Sequence, residues 1–262
     1  MNSLSLSLLN AIPVFLLILA RLTSFIVTMP LFSYRTIPAP VKIGLSVSLA
    51  ILVDLTQFES QTVPLDGRFV VLILKEILVG ISMGFVAGIL VYAVQLAGAF
   101  IDMQMGFAMA NVISPESGVT TPLTGQFLYV LQLLFFLGVN AHHMLLNGIM
   151  YSFQIIPISS LSVAYGSGNT AEFVTRVTAQ MFVIAAQLAM PIVGCLFLVD
   201  LAVGLIARTV PQVNVFVVGM PLKVLAGFAI MLVVFPSLIG LFQVIFDSMT
   251  SIFSGFMHVL GS

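Results

Sequence analysis

Apolar residues run through the chain in long blocks, and polar residues separate them in short ones. Six apolar segments emerge, at roughly 9–32, 41–55, 69–101, 125–158, 177–207 and 214–247. A helix needs about 20 apolar residues to cross a bilayer core. By that measure 41–55 is short, whereas 69–101 and 214–247 are overlong. At about 1.5 Å per residue the segment 69–101 reaches about 50 Å. Helices of this length either tilt and bend or extend beyond the bilayer inside a larger assembly. Pro191 and Pro236 interrupt apolar runs and predict local bends. The 125–158 segment has room for a helical hairpin. The pattern predicts an all-α membrane protein, read as a single domain over 1–262.

The hydrocarbon pattern breaks most sharply at Asp102–Pro122, DMQMGFAMANVISPESGVTTP. Gly106, Pro115, Gly118 and Pro122 oppose a continuous helix. Asp102 and Glu116 are its only charges. Such a stretch suits neither lipid nor open water and is the candidate working part. Met103, Met105 and Met109 fit two readings: adaptable core filler, or a soft seal that closes around varied cargo.

Composition sharpens the class. Hydrophobic residues make up 60% of the 262 and charged residues 6%, against roughly 25% charged in soluble domains. Mean hydropathy is +1.22, so the chain cannot cover a water-facing surface. The net charge of −1 offers no basic patch and excludes nucleic acid as a partner. Cys195 is the single cysteine, which rules out an internal disulfide, and its apolar run predicts a packed position. The first base, Arg21, follows the N-terminal apolar run, so that run is read as a retained membrane segment and not a signal peptide. Arg35 and Lys42 flank the first connection and Arg208 and Lys223 the last, while 54–68 is acidic on balance. Six crossings with both termini outside put the basic connections in the cytoplasm.

Few residues invite chemistry. Gly80, Gly84 and Gly88 form a stripe on one helical face, where another backbone can approach closely, within the chain or between subunits. Arg21, Lys75, Glu76, Asp102 and Asp200 are acids and bases at or near membrane depth, each expensive to insert. Lys75 and Glu76 are adjacent and are expected to point apart. Asp200, Gly204 and Arg208 share a face, so acid and base can bridge across the glycine. A proton relay and buried structural pairing are the two readings. His142–His143 cannot both face one metal from a helix, and no metal or cofactor is expected. Neither a nucleophile motif nor a nucleotide-binding loop occurs, which argues against an enzyme.

Five blocks together resemble one family. They are FSYRTIPAPVKIGLS (32–46), KEILVGISMGF (75–85), QLAGAFIDMQMGFAMANVISPESG (95–118), GVNAHHMLLNGIMYSFQIIP (138–157) and GLIARTVPQVNVFVVGMPLKV (204–224). With Arg21 and Pro30 they cover nearly the whole chain in the order of the FliR family of flagellar export proteins and its counterpart in virulence type III secretion. The resemblance implies a FliP-like portion followed by a FliQ-like portion, with long bent helices and hairpins, assembled in a helical export gate. It implies a plug loop carrying Gly106, Phe107, Ala108, Met109, Asn111, Pro115 and Gly118. It also implies a cytoplasm-facing turn near 208–223, with Arg208, Pro211, Gln212, Asn214 and Lys223 available to FlhB. Expected partners are FliP and FliQ, with FlhA and rod-side proteins such as FliE nearby, together with exported unfolded proteins and membrane lipid. The expected location is the inner membrane at the flagellar basal body; FSYRTIPAP leans flagellar. A secondary transporter of small solutes or ions is the alternative, with Asp200 and the 102–122 break as its only support. A membrane-embedded hydrolase is a third reading, with no nucleophile–base pair to name.

Overall fold

The structure is a computed structural model. It describes residues 3–33, 37–57, 63–107, 122–161, 163, 165, 168–210, 212 and 214–261. Among them are seven helices and no strand: α1 (Ser3–Thr28), α2 (Ala39–Gln57), α3 (Gly67–Met105), α4 (Leu123–Gly138), α5 (Ala141–Ile155), α6 (Gly168–Thr209) and α7 (Val215–Gly261). The protein is an all-α membrane protein. α2, α3, α6 and residues Val217–Gly261 of α7 are each long and apolar enough to cross a bilayer, and α4 with α5 passes the same test as one broken span.

The overlong segments are real helices. α3, α6 and α7 have 39, 42 and 47 residues, about twice the number a bilayer core requires. Pro191 and Pro236, expected to bend their segments, are accommodated without breaking α6 or α7; apolar surroundings tolerate proline where neighbouring groups take up the freed carbonyl. The 125–158 block is divided at Val139–Asn140. Asn140 takes φ 58°, a left-handed conformation that asparagine tolerates and that stops α4 before α5 begins.

Two compact units appear. The first comprises Met1–Ile89, Asn140–Val177 and Ser248–Ser262; the second comprises Leu90–Val139 and Thr178–Asp247. In the first unit the core is built from α1, the start of α3, α5 and the end of α7. Val14, Leu17, Ile18, Leu22, Phe25 and Ile26 of α1 are buried, and Phe25 meets Phe253 with ring centroids 6.0 Å apart. In the second unit Phe135 of α4 lies 5.9 Å from Phe242 of α7, and Phe136 lies 6.2 Å from Phe246.

Large apolar side chains stay exposed on the outer faces. Leu232 and Val233 of α7 keep 77% and 81% of their surface, which suits lipid or another subunit and not water. Cys195 is exposed on α6, which corrects the expected packed position. An all-round apolar helix gives no sequence cue to which face is covered.

Candidate functional site

In the second unit, the C-terminal end of α3 is where four helices meet. Its approach to α4 depends on two glycines. A Cβ on Gly98 would fall on the backbone of Gly125, and one on Gly125 would lie 2.8 Å from the Gln95 carbonyl oxygen. Backbone contact between α3 and α4 carries the first turn of α4 onto Asp102. Pro122, at the N-cap of α4, supplies no side-chain acceptor. Asp102 fills that role from the other helix: the Thr124 amide donates to its Oδ2 and Oδ1 at 3.1 and 3.2 Å. A carboxylate here satisfies an orphan amide and faces the positive end of the helix dipole. This explains how an acid only 5% exposed sits in so apolar a chain.

Two residues on, the Gln104 amide donates to Asp200 Oδ2 of α6 at 2.8 Å, and Asp200 Oδ1 pairs with the Lys223 ammonium of α7. Asp200 is therefore bridged to Lys223 and Gln104, and the expected bridge to Arg208 is replaced. Nor is it fully buried, since its side chain keeps 32% of its surface. Met105 packs on Gly227 of α7, where a Cβ would come within 2.7 Å of the Met105 methyl. Gly106 then ends α3 at φ +88°. The Phe107 amide reaches back to the Asp102 carbonyl at 3.0 Å, the bond of a left-handed glycine cap. The Phe107 ring stands 6.3 Å from Phe228.

Of the expected plug residues, Gly106 and Phe107 are described; Ala108, Met109, Asn111, Pro115 and Gly118 lie outside the described residues. Beside this node an apolar groove of about 810 Å³ is lined by Leu123, Phe127 and Val130 of α4 and Phe228, Leu232 and Phe235 of α7.

At the expected cytoplasmic turn, Arg208 is exposed in the last turn of α6, and Gln212 and Asn214 are exposed after it. The Asn214 carbonyl accepts from Val217 and Val218 and so starts α7. Pro211 and Arg35 lie outside the described residues. Lys223 does not stand on the turn: it is inside α7 and engaged with Asp200.

The first unit holds the other charged cluster. A Cβ on Gly80 would strike the Arg21 carbonyl and Ser24 Oγ, and one on Gly84 would strike Thr28. These two members of the stripe therefore pack against α1 within the chain; Gly88 is buried. Close approach of α1 and α3 brings Arg21 to Glu76, and both side chains are wholly buried. Arg21 also donates to Ser152 Oγ at 3.1 Å and to the Ile156 carbonyl at 2.8 Å, and lies 4.2 Å over the Phe153 ring. Lys75 pairs with Glu76, contrary to the expectation that these neighbours point apart. Their Cβ atoms diverge, but the long lysine stem brings its ammonium to the carboxylate tip.

The His142 and His143 rings lie 4.3 Å apart, and among the described residues no group of histidine, cysteine or carboxylate could hold a metal. Sequence reasoning missed the Asp102–Thr124 and Gln104–Asp200–Lys223 links, whose partners lie far apart in the chain with no periodic signal to join them.

Residues 12–249 match the family described as bacterial export proteins, family 1. The chain is 48% identical over 233 residues to flagellar biosynthetic protein FliR of Bacillus subtilis (strain 168), covering 89% of this chain and 90% of that protein. It is 30% identical to the Escherichia coli (strain K12) protein of the same name, over 90% and 91% of the two chains. It is 32% identical to Yop proteins translocation protein T of Yersinia pestis, over 79% and 80%. By family match and by extended similarity alike, the chain belongs to the bacterial export proteins, family 1.

Proposed function

We propose that this chain is a non-enzymatic subunit of a flagellar type III protein export gate. In this reading it forms part of a protein-conducting channel with FliP- and FliQ-type subunits in the inner membrane, at the basal body. The stretch that follows α3, from Gly106 to Pro122, supplies a plug that seals the closed pore. FlhB meets the turn around Arg208–Asn214, and FlhA and rod-side proteins such as FliE lie nearby. The names of the relatives, biosynthesis of a flagellum and translocation of proteins, support the class of function.

One observation carries the reading of the site. The two ends of the stretch between Phe107 and Pro122 are fixed in one place. Asp102 holds the start of α4, while Gln104, Met105 and Phe107 are held by α6 and α7. A polar, Met-bearing sequence whose two ends rest on packed helices is suited to blocking a passage for unfolded chain without specific bonds to cargo. The rival reading of a solute transporter draws less support: Asp200, its main acidic candidate, is already neutralised by Lys223.

The test is to replace residues 109–119 by a short Gly–Ser bridge. This leaves the Gly106 cap and the Asp102–Thr124 link in place. The expected result is cells that leak small molecules while the chain still assembles with its partners. Normal impermeability with assembly intact would remove the plug.

A further inference from the structure

The Lys75 ammonium sits in a shell of oxygens of the kind that holds a bare cation. Nζ lies 2.9 Å from the Pro157 carbonyl oxygen, 3.1 Å from that of Ser160 and 3.4 Å from that of Ile158. Glu76 Oε1 completes the group. The three carbonyls belong to the non-helical connection after α5, outside any helical ladder, and that of Pro157 also accepts from the Ser160 amide at 3.3 Å and its hydroxyl at 3.1 Å. Irregular backbone packed in an apolar membrane protein needs other partners for its carbonyls. Converging carbonyl dipoles, with or without a carboxylate, are how membrane proteins replace the hydration shell of a small monovalent ion. An ammonium has three protons to donate, and here it faces four oxygens, so part of the attraction is charge to dipole and not a set of directed bonds. Arg21 takes the neighbouring Ile156 carbonyl and the other side of Glu76. Lys75 itself is buried, only 7% exposed, while Pro157 keeps an exposed face.

We propose that residues Pro157, Ile158, Ser160 and Glu76 form a monovalent-cation site that Lys75 occupies with its own tethered ammonium. Cutting the tether leaves a site that takes a free primary ammonium. The tether fixes the 156–160 connection whatever the ion composition on either side of the membrane. The inference is independent of the role in export.

The experiment uses the full chain, purified in mild detergent with whatever subunits accompany it. Lys75→Ala takes the ammonium from the Ile158 and Ser160 carbonyls and from one oxygen of Glu76, while Ser160 still donates to the Pro157 carbonyl and Arg21 still balances Glu76. The loss is that of several charge-assisted hydrogen bonds in a buried setting. The unfolding midpoint should fall by about 5 °C or more. Methylammonium should restore at least half of that loss saturably, and tetramethylammonium, bulkier and without an N–H, should not at equal ionic strength. An equal response to both salts, or to neither, would overturn the proposal. If Lys75→Ala does not accumulate, Lys75→Met serves, because it fills the same space without charge. The site then requires a midpoint below wild type with no gain from methylammonium; a wild-type midpoint would show that packing alone explains Lys75.

Discussion

Asp102 and Gly106 show how much one residue decides at the end of α3. Asp102 accepts from the first turn of α4 at 3.1 Å while almost fully buried. Replacing it by Ala strands an amide and removes a helix cap, which costs about 1–2 kcal/mol. Asp102→Asn keeps one acceptor and should cost less than Ala. Thermal unfolding of the purified protein checks both, and equal stability of Asp102→Ala and wild type would contradict the capping role. Gly106 has room for a side chain, since a Cβ would lie 3.8 Å from the Met220 methyl. Its need for glycine is purely conformational, and Gly106→Ala should cost roughly 1–2 kcal/mol at φ +88°. The sequence marked Asp102 as an expensive acid and Gly106 as a breaker. It could not name Thr124 as the partner, because a carboxylate capping a helix 22 residues away leaves no local pattern. The Lys75–Glu76 pair was hidden for a related reason. Adjacent positions diverge at Cβ, and only the reach of a lysine and the pull of Arg21 bring the tips together.

At the scale of helices, glycine spacing was the most legible signal and its direction the least. The stripe announced a close contact; the structure gives Gly80 and Gly84 to α1. Gly84→Leu should therefore damage the chain itself, before any assembly with partners. The expected readout is loss of folded chain relative to wild type expressed in the same way with its partners, with a penalty above about 3 kcal/mol for a side chain forced into Thr28 and the Phe25 carbonyl. Wild-type accumulation of the Gly84→Leu chain, with assembly blocked, would mean instead that this face meets another subunit. The equally close pair Gly98–Gly125 went unnoticed, because the two glycines lie on different helices and share no spacing motif. Helix existence was plain from hydrophobic runs, and 125–158 had room for a hairpin, but the place of its break was less legible: Gly138 ends α4, and the left-handed φ of Asn140 makes the turn.

For the whole molecule, composition settled the class and left the partners open. With 6% charge the chain belongs in a membrane, yet helices of 39 to 47 residues exceed what crossing requires. Exposed side chains such as Leu225, Leu232 and Val233 of α7 then call for cover by lipid or by other proteins. Membership of the bacterial export proteins accounts for both features if the chain stands within a larger gate. The most direct measurement is co-purification from cells that express the tagged chain at natural levels, extracted in mild detergent. The account predicts one stable particle containing FliP- and FliQ-type proteins together with this chain. A monodisperse, stable particle made of this chain alone would contradict it and return attention to a self-sufficient transporter.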